Sequence, residues 1–251
     1  MNNVKPRKLP VMKILIGSIL VAWWNKEKYS KALVLPTLLL VIIWALKTVF
    51  VEEIKEISIW LVLPFYLIGF SIFAVTCHRL ILMDGLDSSI SISLQNREMK
   101  FATIVAVLCI IYYLVLVVPL TVLTNIPVIP NFVKFGGTLY YITLISSIPA
   151  MYVLARLSMV LPSTAVDNNK KLKWSWEITR HNGWRIAIIV GVYPWLISTS
   201  IWLISREQAS IIEQVFTAFL YYLGMAVGIF ALSLAYKEIM SEPLEMTNEI
   251  Q

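Results

Sequence analysis

An all-α polytopic membrane helix bundle, with about six transmembrane helices plus short interfacial helices on the cytoplasmic side, is the fold class this sequence predicts. Three observations carry that expectation. The 251 residues are 59% hydrophobic and 14% charged, against roughly 45–50% and 25% in soluble domains, and mean hydropathy is +0.77. Apolar runs long enough to cross hydrocarbon recur along the chain, and the basic residues gather in blocks between them. A span takes about 20 residues, so six spans and their connections use the whole length as a single membrane domain over 1–251, with no stretch left for a separate soluble catalytic domain.

Residues 1–31 form a basic N-terminus expected to hold an interfacial helix. Its apolar stretch, Leu9 to Trp24, follows Lys5, Arg7 and Lys8 in the manner of a signal peptide, but Val21-Ala22-Trp23-Trp24-Asn25-Lys26 offers no small-x-small cleavage site. As a seventh span it would be short, would contain Lys13 and Gly17, and would place Lys5, Arg7 and Lys8 outside. A helix anchored at headgroup level by Trp23 and Trp24 fits better. The spans are then expected at about 32–51, 57–83, 101–124, 137–161, 184–205 and 211–239, with a cytoplasmic interfacial segment at 163–183 and a tail at 240–251.

Charge sets the orientation. Lys and Arg number seven before the first span, three between the second and third, six between the fourth and fifth and one in the tail, or 17, against four (Lys47, Lys55, Lys134, Arg206) on the opposite side. By the positive-inside rule both termini are cytoplasmic, and Glu52, Glu53 and Glu56 face outward. The excess of 21 basic over 15 acidic residues therefore reads as topology and anionic-lipid contact, not as a nucleic-acid surface.

Five of the six spans contain a proline (Pro36, Pro64, Pro119, Pro149, Pro194), each of which removes a backbone donor and can bend its helix. The last span instead carries Gly224, Gly228, Ala231 and Ala235, a small-residue stripe for close helix packing within the chain or across a dimer. Ends of spans repeat a theme: the second closes Cys77-His78-Arg79-Leu80 and the fourth Ala155-Arg156-Leu157, with Phe101 and Trp184 at the mouths of the helices that follow. Between Lys170 and Arg185, KKLKWSWEITRHNGWR suits a short headgroup-level helix anchored by Trp174, Trp176 and Trp184 and closed by Gly183.

Reactive groups are few. His78 and His181 stand at no metal-ligand spacing, Cys77 and Cys109 lie inside apolar stretches, and no nucleophile elbow, HExxH, P-loop or dinucleotide fingerprint is present. No enzyme activity, metal or cofactor is expected. Arg79 and Arg156 near span ends, with Lys170, Lys171, Lys173 and Arg180, are the candidate contacts for an anionic headgroup, against the simpler reading of snorkelling to lipid phosphates.

The runs Ala155-Arg156-Leu157-Ser158-Met159-Val160-Leu161-Pro162, Ser175-Trp176-Glu177-Ile178-Thr179-Arg180 and Asn182-Gly183-Trp184-Arg185, with the closing Ala235-Tyr236-Lys237-Glu238, resemble the six-span membrane domain attached to some bacterial glycerophosphodiester phosphodiesterases and related stand-alone inner-membrane proteins. The catalytic domain and its metal-binding carboxylates are absent, so the resemblance implies a six-helix bundle with cytoplasmic interfacial helices and a link to lipids or the envelope, not hydrolysis. The expected function is that of a non-enzymatic protein of the bacterial inner membrane that meets anionic lipids, another membrane protein or a second copy of itself through its basic cytoplasmic face. The alternative is a small transporter or lipid-handling protein with a pathway between proline-bent helices.

Overall fold

The computed structural model describes residues 8–53, 57–83, 95–124, 137–204 and 211–241, and these contain helices and no strand. In chain order they are α1 (Val11–Trp24), α2 (Lys26–Glu53), α3 (Ile57–Leu82), α4 (Asn96–Thr124), α5 (Gly137–Leu157), α6 (Val160–Ala165), α7 (Leu172–Ile178), α8 (Gly183–Ala187), a π turn (Ile188–Val192), α9 (Tyr193–Ile204) and α10 (Ile211–Met240). Among the described residues six stretches are long and apolar enough to cross a bilayer: Lys26–Leu46, Val62–Leu82, Asn96–Val118, Ser146–Ala165, Gly183–Ile201 and Ile212–Met240. The chain is a multi-pass, all-α membrane protein. In hydrocarbon every backbone N–H and C=O must be paired within its own segment, which is why apolar runs of this length can only be helices.

Boundaries depart from expectation where local hydrogen bonding intervenes. The first span starts six residues early, at Lys26, because the chain turns at Asn25 and re-enters helix at once, with Glu27 in the favourable first turn. The third starts at Asn96, since the Gln95 amide donates to Glu98 Oε2 at 3.0 Å, half of a capping box. The fourth stops at Leu157 instead of continuing to 161. There the Ser158 hydroxyl donates to the Ala155 carbonyl at 2.7 Å, and Pro162 has no N–H to give to Ser158. The expected outer cations Lys55, Lys134 and Arg206, with Glu56, lie outside the described residues, as do 242–251.

The spans pack as a ring: α2 on α3, α3 on α4, α4 on α5, α5 on α8, and α9 on α10, which closes onto α2 and α3. One apolar cluster, around Leu40, Phe73, Cys77, Tyr222 and Phe230, joins α2, α3 and α10. A second, around Ile14, Ala155, Met159, Ile186, Ile189 and Ala235, joins α1, α5, α8 and α10. Beside them the buried His78 ring pairs through Nδ1 with the Ser233 hydroxyl at 2.8 Å, tying α3 to α10.

The 14 residues of α1 reach about 21 Å, against roughly 30 Å of hydrocarbon, and α1 is a shorter apolar helix than the six long ones. Ile14 and Ser18 are buried against the bundle, while Met12, Ile16, Ile19 and Trp23 are exposed. Apolar on both faces, it has protein on one side and an apolar surface for lipid on the other.

The small-residue stripe of α10 faces the fifth span of the same chain. A Cβ added at Gly224 would lie 2.4 Å from Ile197 Cγ2, and one at Gly228 would lie 3.4 Å from Pro194 Cγ. Such contact supplies the van der Waals attraction that drives helix association in lipid. Pro194, which cannot donate to the carbonyl one turn earlier, follows the π turn, and the Tyr193 amide there donates to the carbonyl of Ile188. Replacing Gly224 by Ala should therefore destabilise the protein by about 1–3 kcal/mol through overpacking, and adding Ile197→Ala should recover part of the loss. Thermal unfolding in detergent, with Gly17→Ala as the control in ordinary contact, measures both.

Candidate functional site

The polar chemistry of the described chain is concentrated at one end of the bundle, where α5 passes into α6, α7 and α8. Arg156, at the last turn of α5, is 7% exposed. Its Nε donates to the Thr179 hydroxyl at 3.2 Å, one Nη group donates to the Trp176 carbonyl, and the guanidinium lies 3.8 Å from the centre of the Trp176 ring. In return the Ser175 hydroxyl donates to the Arg156 carbonyl at 2.8 Å. A guanidinium is planar and can stack and donate at once, so this one side chain fastens α7 beneath α5.

The next link follows from that placement. Asn182, just before α8, accepts the Leu9 amide through Oδ1 at 2.9 Å, and Arg185 Nη1 donates to the Leu9 carbonyl at 2.7 Å. The start of α1 is thus held by the segment joining α7 to α8. Gly183 does not close α7, as its position suggested; Thr179 caps that helix, and Gly183 is the first residue of α8. The constraint on it is steric, since a Cβ there would stand 2.7 Å from the Tyr152 hydroxyl.

Arg79, at the end of α3, has different neighbours. Its Nη1 is 3.3 Å from the Ala165 carbonyl and 3.5 Å from Asp167 Oδ2. The same carboxylate oxygen accepts from Arg97 Nη1 at 2.9 Å, while Arg97 also pairs with Glu98 at 3.2 Å. Asp167 has φ of 61°, a left-handed residue ending α6: its amide donates to Thr164 at 3.1 Å and that of Asn168 to Ser163 at 2.9 Å. These are the two bonds of a Schellman motif, whose left-handed position usually holds Gly or Asn.

Arg79 and Arg156, similar in sequence setting, share no bonding partner: the first is bound to Asp167 and the second to Thr179 and Trp176. Lys170, Lys171, Lys173 and Arg180 are exposed; Lys173 reaches Glu177 at 3.9 Å. Trp23, Trp24, Trp176 and Trp184 are exposed as well, whereas Trp174 packs edge-on against Tyr236 at 6.4 Å. Ser175, Thr179 and Asn182 fall in the runs that carry the resemblance, but neither they nor Arg97 and Asp167 are marked as site residues by the sequence. An Asp followed by Asn168-Asn169 after an apolar turn is the signal that marks the left-handed stop. Among the described residues no group of three His, Cys, Asp or Glu side chains could hold a metal ion. Comparison with protein-family models, with curated proteins and with solved structures returned no match.

Replacing Arg156 by Gln removes the stack and both charge-assisted bonds and should cost about 2–4 kcal/mol; Lys, lacking the plane, should recover less than half. Lys171→Gln should change stability by less than about 0.5 kcal/mol. Unfolding midpoints in detergent distinguish the two classes.

Proposed function

We propose that this multi-pass membrane protein binds the anionic headgroup layer through its basic end. The single observation that carries the reading is the makeup of the exposed surface of α7 and its flanks: Lys170, Lys171, Lys173 and Arg180 alternate with the exposed rings of Trp176 and Trp184. Cations near the surface of an anionic leaflet contribute about 1 kcal/mol each, and indole rings favour the headgroup level. Arg156, committed to α7, supports that surface from behind. The resemblance to the membrane domain of bacterial glycerophosphodiester phosphodiesterases points the same way, toward an inner-membrane protein connected with lipids.

By the positive-inside rule the basic end faces the cytoplasm with both termini. A fluorescent protein that matures only in the cytoplasm, fused after Gln251, should light up; a dark, inserted fusion would reverse the orientation.

In nanodiscs of mixed phosphatidylglycerol and phosphatidylcholine, the chain should enrich phosphatidylglycerol around itself. Changing Lys170, Lys171 and Lys173 together to Gln should reduce that enrichment by about tenfold or more at low salt, with the difference shrinking as salt rises. Equal enrichment by both proteins would remove the proposal.

A further inference from the structure

We propose that Arg79 and Arg97 form a binding site for the phosphate of an anionic phospholipid, with Asp167 as an internal stand-in that a phosphate displaces. The inference deepens the headgroup reading above and rests on it for the source of the phosphate. Two guanidinium groups from different spans converge on one atom, Asp167 Oδ2, at 3.5 and 2.9 Å. The carboxylate between the two cations meets both through a single oxygen, with Glu98 engaging Arg97 from its other side, so it fills the site only in part. A phosphate offers three or more acceptor oxygens in the arrangement that paired guanidinium forks recognise.

The three side chains are unequally held. Arg79 and Arg97 are 19% and 14% exposed, whereas Asp167 is 61% exposed. The cations are built into the wall and the anion faces water, so the anion is the member that can be exchanged. Arg97 is oriented by Glu98 and by Gln95, whose Oε1 accepts Nη2 at 3.0 Å. Arg79 commits only Nη1, and its Nε and other Nη make no bond among the described residues. The first turn of the 29-residue α4 adds the positive end of a helix dipole.

Surroundings favour a lipid over free phosphate. Arg79 lies three residues from the end of α3, and the ends of spans are where a chain meets the headgroup layer. Near the end of the same span opens a groove of about 350 Å³ lined by Leu82, Met83, Val166, Tyr236 and Met240, with Lys237 and Ser241 at its polar side. Val166, on its wall, immediately precedes Asp167 in the chain, which puts an apolar surface for an acyl chain or glycerol backbone near the arginines.

The experiment is a titration of the purified full chain, in neutral detergent, with dioleoyl phosphatidylglycerol, read by native mass spectrometry. Asp167→Asn keeps a residue that tolerates positive φ and removes the competing charge, so it should bind the lipid roughly fivefold more tightly, and Arg79→Gln or Arg97→Gln roughly fivefold more weakly. Weaker or unchanged binding by Asp167→Asn overturns the site, because an aspartate that merely positions the arginines would weaken binding when neutralised. Should one arginine variant not fold, as judged by its unfolding midpoint, the other and Asp167→Asn still decide. Inorganic phosphate competing at the same concentration as the lipid would overturn the assignment to a headgroup. A wild-type chain with no preference for phosphatidylglycerol over phosphatidylcholine would sink the headgroup reading itself; a preference indifferent to these residues would sink only the site.

Discussion

The guanidinium of Arg156 organises the basic end of this molecule. A cation buried at the edge of a bilayer is costly unless it is bonded and paired, and Arg156 obtains its partners from Thr179 and from both the carbonyl and the ring of Trp176. Those partners can reach it only if α7 folds back beneath α5. Once α7 is there, Asn182 and Arg185 stand where they bind Leu9. Through Leu9 the attachment extends to α1, and through α1 to the last span, whose Ala235 and Tyr236 share its apolar cluster. The order of dependence runs from one side chain to a layer of short helices, none of which could stand alone in water or lipid.

What could be read from the sequence follows from how strong each constraint is. Hydrocarbon leaves an apolar run of 20 residues or more no alternative to helix, so the spans were legible to within a few residues. The exceptions, at Lys26, Asn96 and Leu157, sit where an asparagine turn, a glutamate cap, or a serine hydroxyl and a proline act locally on the helix ends. The site was legible in composition but not in geometry. Arg79 and Arg156 look alike in sequence, each closing a span as Arg-Leu, yet one meets an aspartate 88 positions away and the other meets a helix that begins 16 residues on. Sequence spacing reports neither partner, because both are set by how the spans assemble. Gly183 shows the same limit: a glycine between helix and span reads as a cap, and only the Tyr152 ring reveals that space, not backbone freedom, is what it provides.

Basic residues at this end serve two physical purposes. Arg156 and Arg185 are bound by main-chain and hydroxyl groups and hold elements in place; Lys170, Lys171, Lys173 and Arg180 project from the surface. The positive-inside pattern counts them all equally, since it concerns only which side of the membrane a cation resides on. Burial separates them. A charge already satisfied by protein has little attraction left for a lipid, and an exposed lysine has little effect on the fold. Asp167 stands between these groups, close to two fixed cations and open to water.

The π turn at Ile188–Val192 gives the fifth span a phase defect. One residue is absorbed without advancing the helix, and since each residue of an α-helix turns by roughly 100°, the half after the π turn is rotated by about that amount from where an uninterrupted helix would carry it. That rotation directs Pro194 toward Gly228 and Ile197 toward Gly224, while Ile186 and Ile189 keep their place beside Ala155 and Ala235. The two halves of one span are thus fitted to two neighbours by a change of angular register, with no break in the chain's passage across the bilayer.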